Sequence, residues 1–195
     1  MLLCERGAIV SGSDEPRAAG WRFFLWWMLA FLGFPLGGEL ALVVVGPVEG
    51  VLSGALGGAL AGAVIGVAQW LVLRRYIRVG PEWVLATALG VAIGDALGAL
   101  LTGVGTGIGA LLITGLATGV AVGLLQWGLF LRGRVLLGSL WPLVVAIAWP
   151  IGWTVTWAFG IDVERGYYVF GASGALVFAA ITGLAMLLML RGRTR

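Results

Sequence analysis

Histidine and lysine are both absent from this 195-residue chain, cysteine occurs once, and only 11% of the residues are charged. Each gap excludes something. Without histidine there is no imidazole to ligate haem, zinc or non-haem iron, and the commonest general base is missing. Ser-His-Asp, Cys-His and HExxH constellations therefore cannot form. A single cysteine, Cys4, makes neither an internal disulfide nor a thiolate cluster. With only Met1-Leu2-Leu3 ahead of it, Cys4 reads as a free tail thiol rather than a lipidated residue. No metal, cofactor or enzymatic activity is expected. Soluble domains carry about 25% charged residues. At 61% hydrophobic residues and a mean hydropathy of +1.06, this chain cannot cover a water-facing surface. Lipid is its expected solvent.

What is present is a repeat. AGAVIGVAQWLVLRR at 61–75 returns as TGVAVGLLQWGLFLR at 118–132, identical at five of fifteen positions. Trp26, Trp83 and Trp141 open three apolar segments, with Gly37, Gly94 and Gly152 eleven residues after each. Self-similarity at about 57 residues means one supersecondary unit used several times. A polar tail at 1–20 precedes apolar segments near 21–45, 51–73, 82–102, 108–131, 140–160 and 168–190. At 1.5 Å per helical residue, each is long enough to cross about 30 Å of hydrocarbon. The expectation is an all-α polytopic membrane protein: a single six-helix domain over 21–195. Its three helical hairpins (about 21–78, 79–136 and 137–195) would lie parallel around a pseudo-threefold axis.

All 12 basic residues are arginine, and eleven fall in the tail, at the very start of the first segment, in alternate loops or at the C-terminus; only Arg165 lies opposite. The positive-inside rule then places both termini in the cytoplasm, with the arginine rim against anionic headgroups. Trp70, Trp83, Trp127 and Trp141 would form an aromatic belt at that rim, and Tyr167 and Tyr168 one at the other. Nothing points to nucleic acid. Gly103-Val104-Gly105-Thr106-Gly107 follows an apolar helix rather than a strand, so it reads as a turn and not a dinucleotide loop.

Glycine occurs 34 times. Gly54, Gly58, Gly62 and Gly66, then Gly115, Gly119 and Gly123, recur every fourth residue and so share one helix face. Such stripes let backbones approach closely where lipid supplies no hydrophobic drive. They fit packing within the chain or between subunits. Gln69 and Gln126 hold equivalent places one turn from the rim, either as polar glue between helices or as the mouth of a cavity. The candidate ion or ligand site is Glu39 and Asp95 with Trp153 and Thr154 in the third copy. Both acids lie ~18–20 Å along their helices. An intramembrane carboxylate costs several kcal/mol unless paired, wetted or protonated, and no arginine lies at that depth. Pro35 and Pro150 predict kinks beside them. Trp149, Trp153 and Trp157 form a stripe that packs, faces lipid or lines a pocket. Thr114 and Thr118 bond back to their own helix.

The G-x-x-x-G-x-x-Q-W-x-x-(L/F)-L-R block resembles a loose group of uncharacterised bacterial multi-pass proteins with repeated Gly…Gln-Trp…Leu-Arg hairpins. The resemblance implies a bacterial inner (plasma) membrane location and carries no activity. Two functions stay open. One is a packing or accessory component of the membrane or of a larger complex. The other is small-solute, ion or proton transport, or ligand binding, using Glu39 and Asp95.

Overall fold

The structure is a computed structural model that describes residues 15–135, 137–160, 169 and 171–191, with side chains from Gly20 onward. Every regular element among these residues is helical. The α-helices are α1 (Glu15–Leu29), α2 (Gly33–Val45), α3 (Val51–Leu73), α4 (Glu82–Thr102), α5 (Ile108–Gln126), α6 (Trp141–Ala158) and α7 (Ala172–Arg191). Together with short 3-10 and π turns they give six helical segments long and apolar enough to cross a membrane. These are Gly20–Val45, Val51–Leu73, Glu82–Thr102, Ile108–Leu131, Gly138–Ala158 and Ala172–Arg191.

Local chemistry sets the ends. Ser53 Oγ accepts from the backbone N–H of Glu49 (2.9 Å) and of Gly50 (3.0 Å), closing the start of α3. Pro81 caps α4, and Pro142 occupies the first turn of α6, where a missing N–H costs nothing. Gly103, at φ +60°, ends α4 in the left-handed conformation that glycine tolerates best. Two expectations shift. The tail is helical from Glu15, with Pro16 in the first turn. The kink at Pro35 is realised as a 3-10 turn, Ala30–Leu32, between α1 and α2. Proline at 35 clashes with the preceding turn, so the helix tightens just upstream. Arg165, Tyr167, Tyr168, Arg193, Arg195 and Cys4 lie outside the described residues.

The helices pack in chain order, each chiefly on its sequence neighbours, and α7 returns against α1 and the 3-10 turn to close a ring. Leucine and valine face outward: Leu36, Val43, Leu85, Leu100 and Leu188 are all exposed. Inside stand aromatic rings, small residues, aliphatic residues such as Ile65, Leu73 and Val145, and a few polar groups. Phe34, Trp149 and Phe178 meet at 5.1–5.8 Å between ring centroids, and Trp27 meets Trp141 edge-on at 6.4 Å. Large apolar residues on both the inner and the outer face suit a lipid solvent, which welcomes Leu and Val as readily as a core does.

Glycines set the spacing. Side chains added at Gly54, Gly58, Gly62 and Gly66 would run into α4, at Asp95, Val91, Ala88 and Val84 respectively. Those at Gly115, Gly119 and Gly123 would strike α6 at Pro150, Val145 and Pro142. A third stripe, Gly90, Gly94 and Gly98, was not singled out from the sequence. It seats α4 on Val122, Thr118 and Thr114 of α5.

A Cβ at Gly62 would lie 2.9 Å from both Ala88 Cα and Thr87 O. Gly62→Val should therefore force α3 from α4 and cost about 1–3 kcal/mol, as overpacking does. Gly128, with open space around it, is the control: Gly128→Ala should stay within about 0.5 kcal/mol of the parent, the usual range for a surface change. Thermal unfolding in detergent checks both. Equal melting of Gly62→Val and the parent would rule out close approach as a source of stability.

Candidate functional site

Near the arginine-bearing end, four helices converge on a buried polar network. Trp83 Nε1 of α4 donates to Gln69 Oε1 of α3 at 3.2 Å. Trp141 Nε1 of α6 donates to Gln126 Oε1 of α5 at 2.8 Å. Gln126 Nε2 then bridges to Thr87 Oγ1 (3.0 Å) and to Gln69 Oε1 (3.4 Å). Thr87 passes its own hydrogen to the Trp83 carbonyl at 2.9 Å. Indole nitrogens only donate, so each tryptophan obliges its glutamine to present oxygen. The network thereby acquires a direction: Trp141 to Gln126, and both Gln126 and Trp83 to Gln69. The two glutamines are 5% and 1% exposed, and each is held by bonds from neighbouring helices. Of the two readings of the pair, this geometry is that of interhelical glue.

The belt expectation needs correction for two tryptophans. Trp83 and Trp141 are fully buried network donors. A tryptophan at the start of a span satisfies both patterns, and only the neighbouring helix decides which applies. Trp70 and Trp127, by contrast, are half-buried and lie under arginines: Arg74 over Trp70 at 4.8 Å and Arg132 over Trp127 at 5.9 Å. The Gln-Trp…Arg block thus divides its work. Glutamine turns inward, and the next residue covers the rim beneath a guanidinium.

A third indole behaves like the first two. Trp27, fully buried, donates to Thr182 Oγ1 of α7 at 3.1 Å. Trp26, the residue that the 57-residue spacing selects, is instead exposed beneath Arg75 at 5.0 Å. Thr182 lies one turn before Met186, the residue at the place of Gln69, and therefore on the same face. A search for any polar residue on that face, rather than for glutamine, would have found it.

Midway along α4, Asp95 is 6% exposed. Its Oδ1 lies 3.1 Å from Thr118 Oγ1 on α5, which also lies 2.9 Å from the Thr114 carbonyl of its own helix. The Thr118 hydroxyl is thus shared between the Asp95 carboxyl and the carbonyl one turn back on its own helix. Asp95 Oδ2 has no hydrogen-bond partner among the described residues and faces Gly58, where a Cβ would stand only 2.9 Å away. The four candidate site residues are not gathered. Glu39 is exposed on the outer face of α2, a helix that packs on α3 rather than α4. Trp153 is buried against α5 near Gly115, while Thr154 is exposed and donates to the Pro150 carbonyl at 2.9 Å. Among the described residues no three His, Cys, Asp or Glu groups stand close enough to hold a metal ion.

Gln126→Leu should leave the Trp141 indole buried without an acceptor, a loss of about 1–3 kcal/mol. Thr154→Val, removing only an exposed bond to its own helix, should change stability by less than about 0.5 kcal/mol. A double-mutant cycle of Gln69→Leu and Gln126→Leu, read by thermal unfolding, should show the two are not additive. Additive losses would mean that the glutamines act separately. Asp95→Asn keeps an oxygen to accept from Thr118 and should fold and melt like the parent, whereas Asp95→Leu should not.

Comparison with other proteins adds no assignment: no family model, curated protein or solved structure matches this chain.

Proposed function

We propose that this chain is a non-enzymatic integral membrane protein acting as a packing or accessory component of a bacterial inner membrane or of a complex within it. The observation that carries the reading is the use of the interior polar groups. Gln69, Gln126, Thr87, Trp83 and Trp141 spend their bonds on one another, and the two intramembrane acids stand on different helices facing different surroundings. A site shared by Glu39 and Asp95 would need both acids in one wet space.

Two finer features belong to the same proposal. The chain is three like-oriented hairpins about a pseudo-threefold axis, which the three indole donors support. Trp27, Trp83 and Trp141 each reach back to a polar residue on the helix before, with α7 standing before α1. Both termini are cytoplasmic, supported by Arg22, Arg74, Arg75, Arg78, Arg132, Arg134 and Arg191, which all lie at the end where α3 and α5 finish. A second reading, proton or ion transport through Asp95, rests on the unpartnered Oδ2 atom.

In a Cys4→Ser background, a membrane-impermeant maleimide should label Glu49→Cys in intact cells and Arg78→Cys only after permeabilisation. The reverse pattern would overturn the orientation. For the accessory role, mild detergent extraction should recover a stoichiometric membrane partner whose retention weakens in Glu39→Leu. A proton flux in proteoliposomes that Asp95→Asn abolishes would displace this reading in favour of transport.

A further inference from the structure

The arginine-bearing end holds a crevice that neither the packing nor the polar network uses. It is a wide, open depression of about 490 Å³ between the α3–α4 and α5–α6 connections, lined by Arg78, Val79, Gly80, Glu82, Phe130 and Arg134. That size lies within the roughly 300–1,000 Å³ usual for small-molecule sites. We propose that it binds the headgroup of an anionic phospholipid carrying a phosphodiester and a free hydroxyl, of which phosphatidylglycerol is the simple example.

Four observations converge on that chemistry. First, the two arginines come from different connections and both line the crevice. Arg134 Nη1 donates to the Arg78 carbonyl at 3.4 Å, bringing both side chains to one opening. Second, both are exposed, and neither they nor Glu82 form an ion pair among the described residues. Two guanidiniums and one carboxylate leave the crevice with a net single positive charge, the complement of a monoanionic phosphodiester. Guanidinium forks suit phosphate oxygens, and a carboxylate accepts from a hydroxyl. Third, the wall is apolar on one side. Phe130 is nearly buried, packs on Trp83 at 5.7 Å, and offers a ring to the glycerol and first methylenes of a lipid. Fourth, the shape is fixed from below. Trp70 Nε1 donates to the Val79 carbonyl at 3.1 Å, and the missing side chain at Gly80 leaves room for the Glu82 carboxylate to fold over it.

A free phosphate ion would meet the same arginines but could not use Phe130, and it would arrive with a charge nearer two than one. The lipid is favoured because the crevice is amphiphilic and lies at the end of the spans, where headgroups stand. The inference rests on the rim meeting a membrane surface, and it does not depend on the accessory role.

Native mass spectrometry of the full chain in mild detergent, titrated with phosphatidylglycerol, phosphatidylcholine or inorganic phosphate, tests it. Phosphatidylglycerol should be retained in preference to phosphatidylcholine. Arg78→Gln with Arg134→Gln should weaken it by roughly ten- to thirtyfold, the effect of two near-surface arginines. Arg22→Gln with Arg75→Gln removes as much charge from the same rim outside the crevice and should leave binding within about twofold of the parent. Both pairs are exposed, and unchanged melting temperatures show that the fold survives. Equal losses from the two pairs would overturn the site in favour of diffuse attraction. Displacement of the lipid by an equal concentration of inorganic phosphate would overturn the lipid assignment. Because the orientation is read separately by maleimide labelling, a failure here is distinguishable from a failure of the topology.

Discussion

Close approach of backbones is the constraint from which the rest of this structure follows. In lipid a helix gains nothing by hiding leucine, because acyl chains solvate it as well as a protein core does. Association must come from dispersion summed over many short contacts, and that requires axes near enough for backbone to touch backbone. Gly58 and Gly62 on α3, Gly94 on α4 and Gly119 on α5 supply that nearness, each facing main-chain atoms of the next helix. The spacing also governs what else can fit. Asp95 and Thr118 meet across α4 and α5 because Gly58 and Gly94 leave space where side chains would otherwise stand.

Short axial distances bring polar side chains within bonding range, and here the donor-only indoles arrange them. An amide can turn either way, and in water nothing would choose between the two. Trp83 and Trp141 choose, since each can only give a hydrogen. Interhelical bonds in membranes average about 0.6 kcal/mol, so the network adds modestly to adhesion. Its larger effect is on register. Sliding α5 by one residue against α4 would rotate Gln126 by about 100° and break its bonds to Thr87, Gln69 and Trp141 together. Glycine stripes alone tolerate such slips, because one smooth face resembles itself a turn away.

The spans and the arginine rim were legible in the sequence because lipid imposes them on any chain that crosses it. The glutamines were legible as equivalents because the repeat displays them at a fixed distance. Their partners were not. Trp83 and Trp141 stand where belt tryptophans stand, and a segment's start does not reveal whether its indole points along the membrane surface or into the ring. Trp26 and Trp27 differ by one position, hence by about 100° of rotation, and only one of them reaches Thr182. The stripe Gly90, Gly94, Gly98 was hidden by its place on a helix that already offers its other side to α3. A helix gripped from both sides needs two small faces, and a search for one stripe per hairpin overlooks the second.

The two acids illustrate how a local distortion redirects chemistry. Counted from their buried tryptophans, Glu39 and Asp95 hold the same place, twelve residues after Trp27 and Trp83. Equal spacing in two regular helices would point them the same way. The first span is not regular. Ala30–Leu32 form a 3-10 turn, which advances about 120° per residue where an α-helix advances 100°. Three such residues add about 60° of rotation, enough to carry a side chain from the edge of the inner face to the outer one. Pro35 supplies the reason for the turn, because its ring crowds the carbonyl four residues earlier. Asp95, on an unbroken helix, stays inside against Thr118. The chain thus places one acid in its core and, by a single tightened turn, the equivalent acid on its lipid-facing wall, where the adjoining Leu36, Leu40 and Val43 offer it no partner from within.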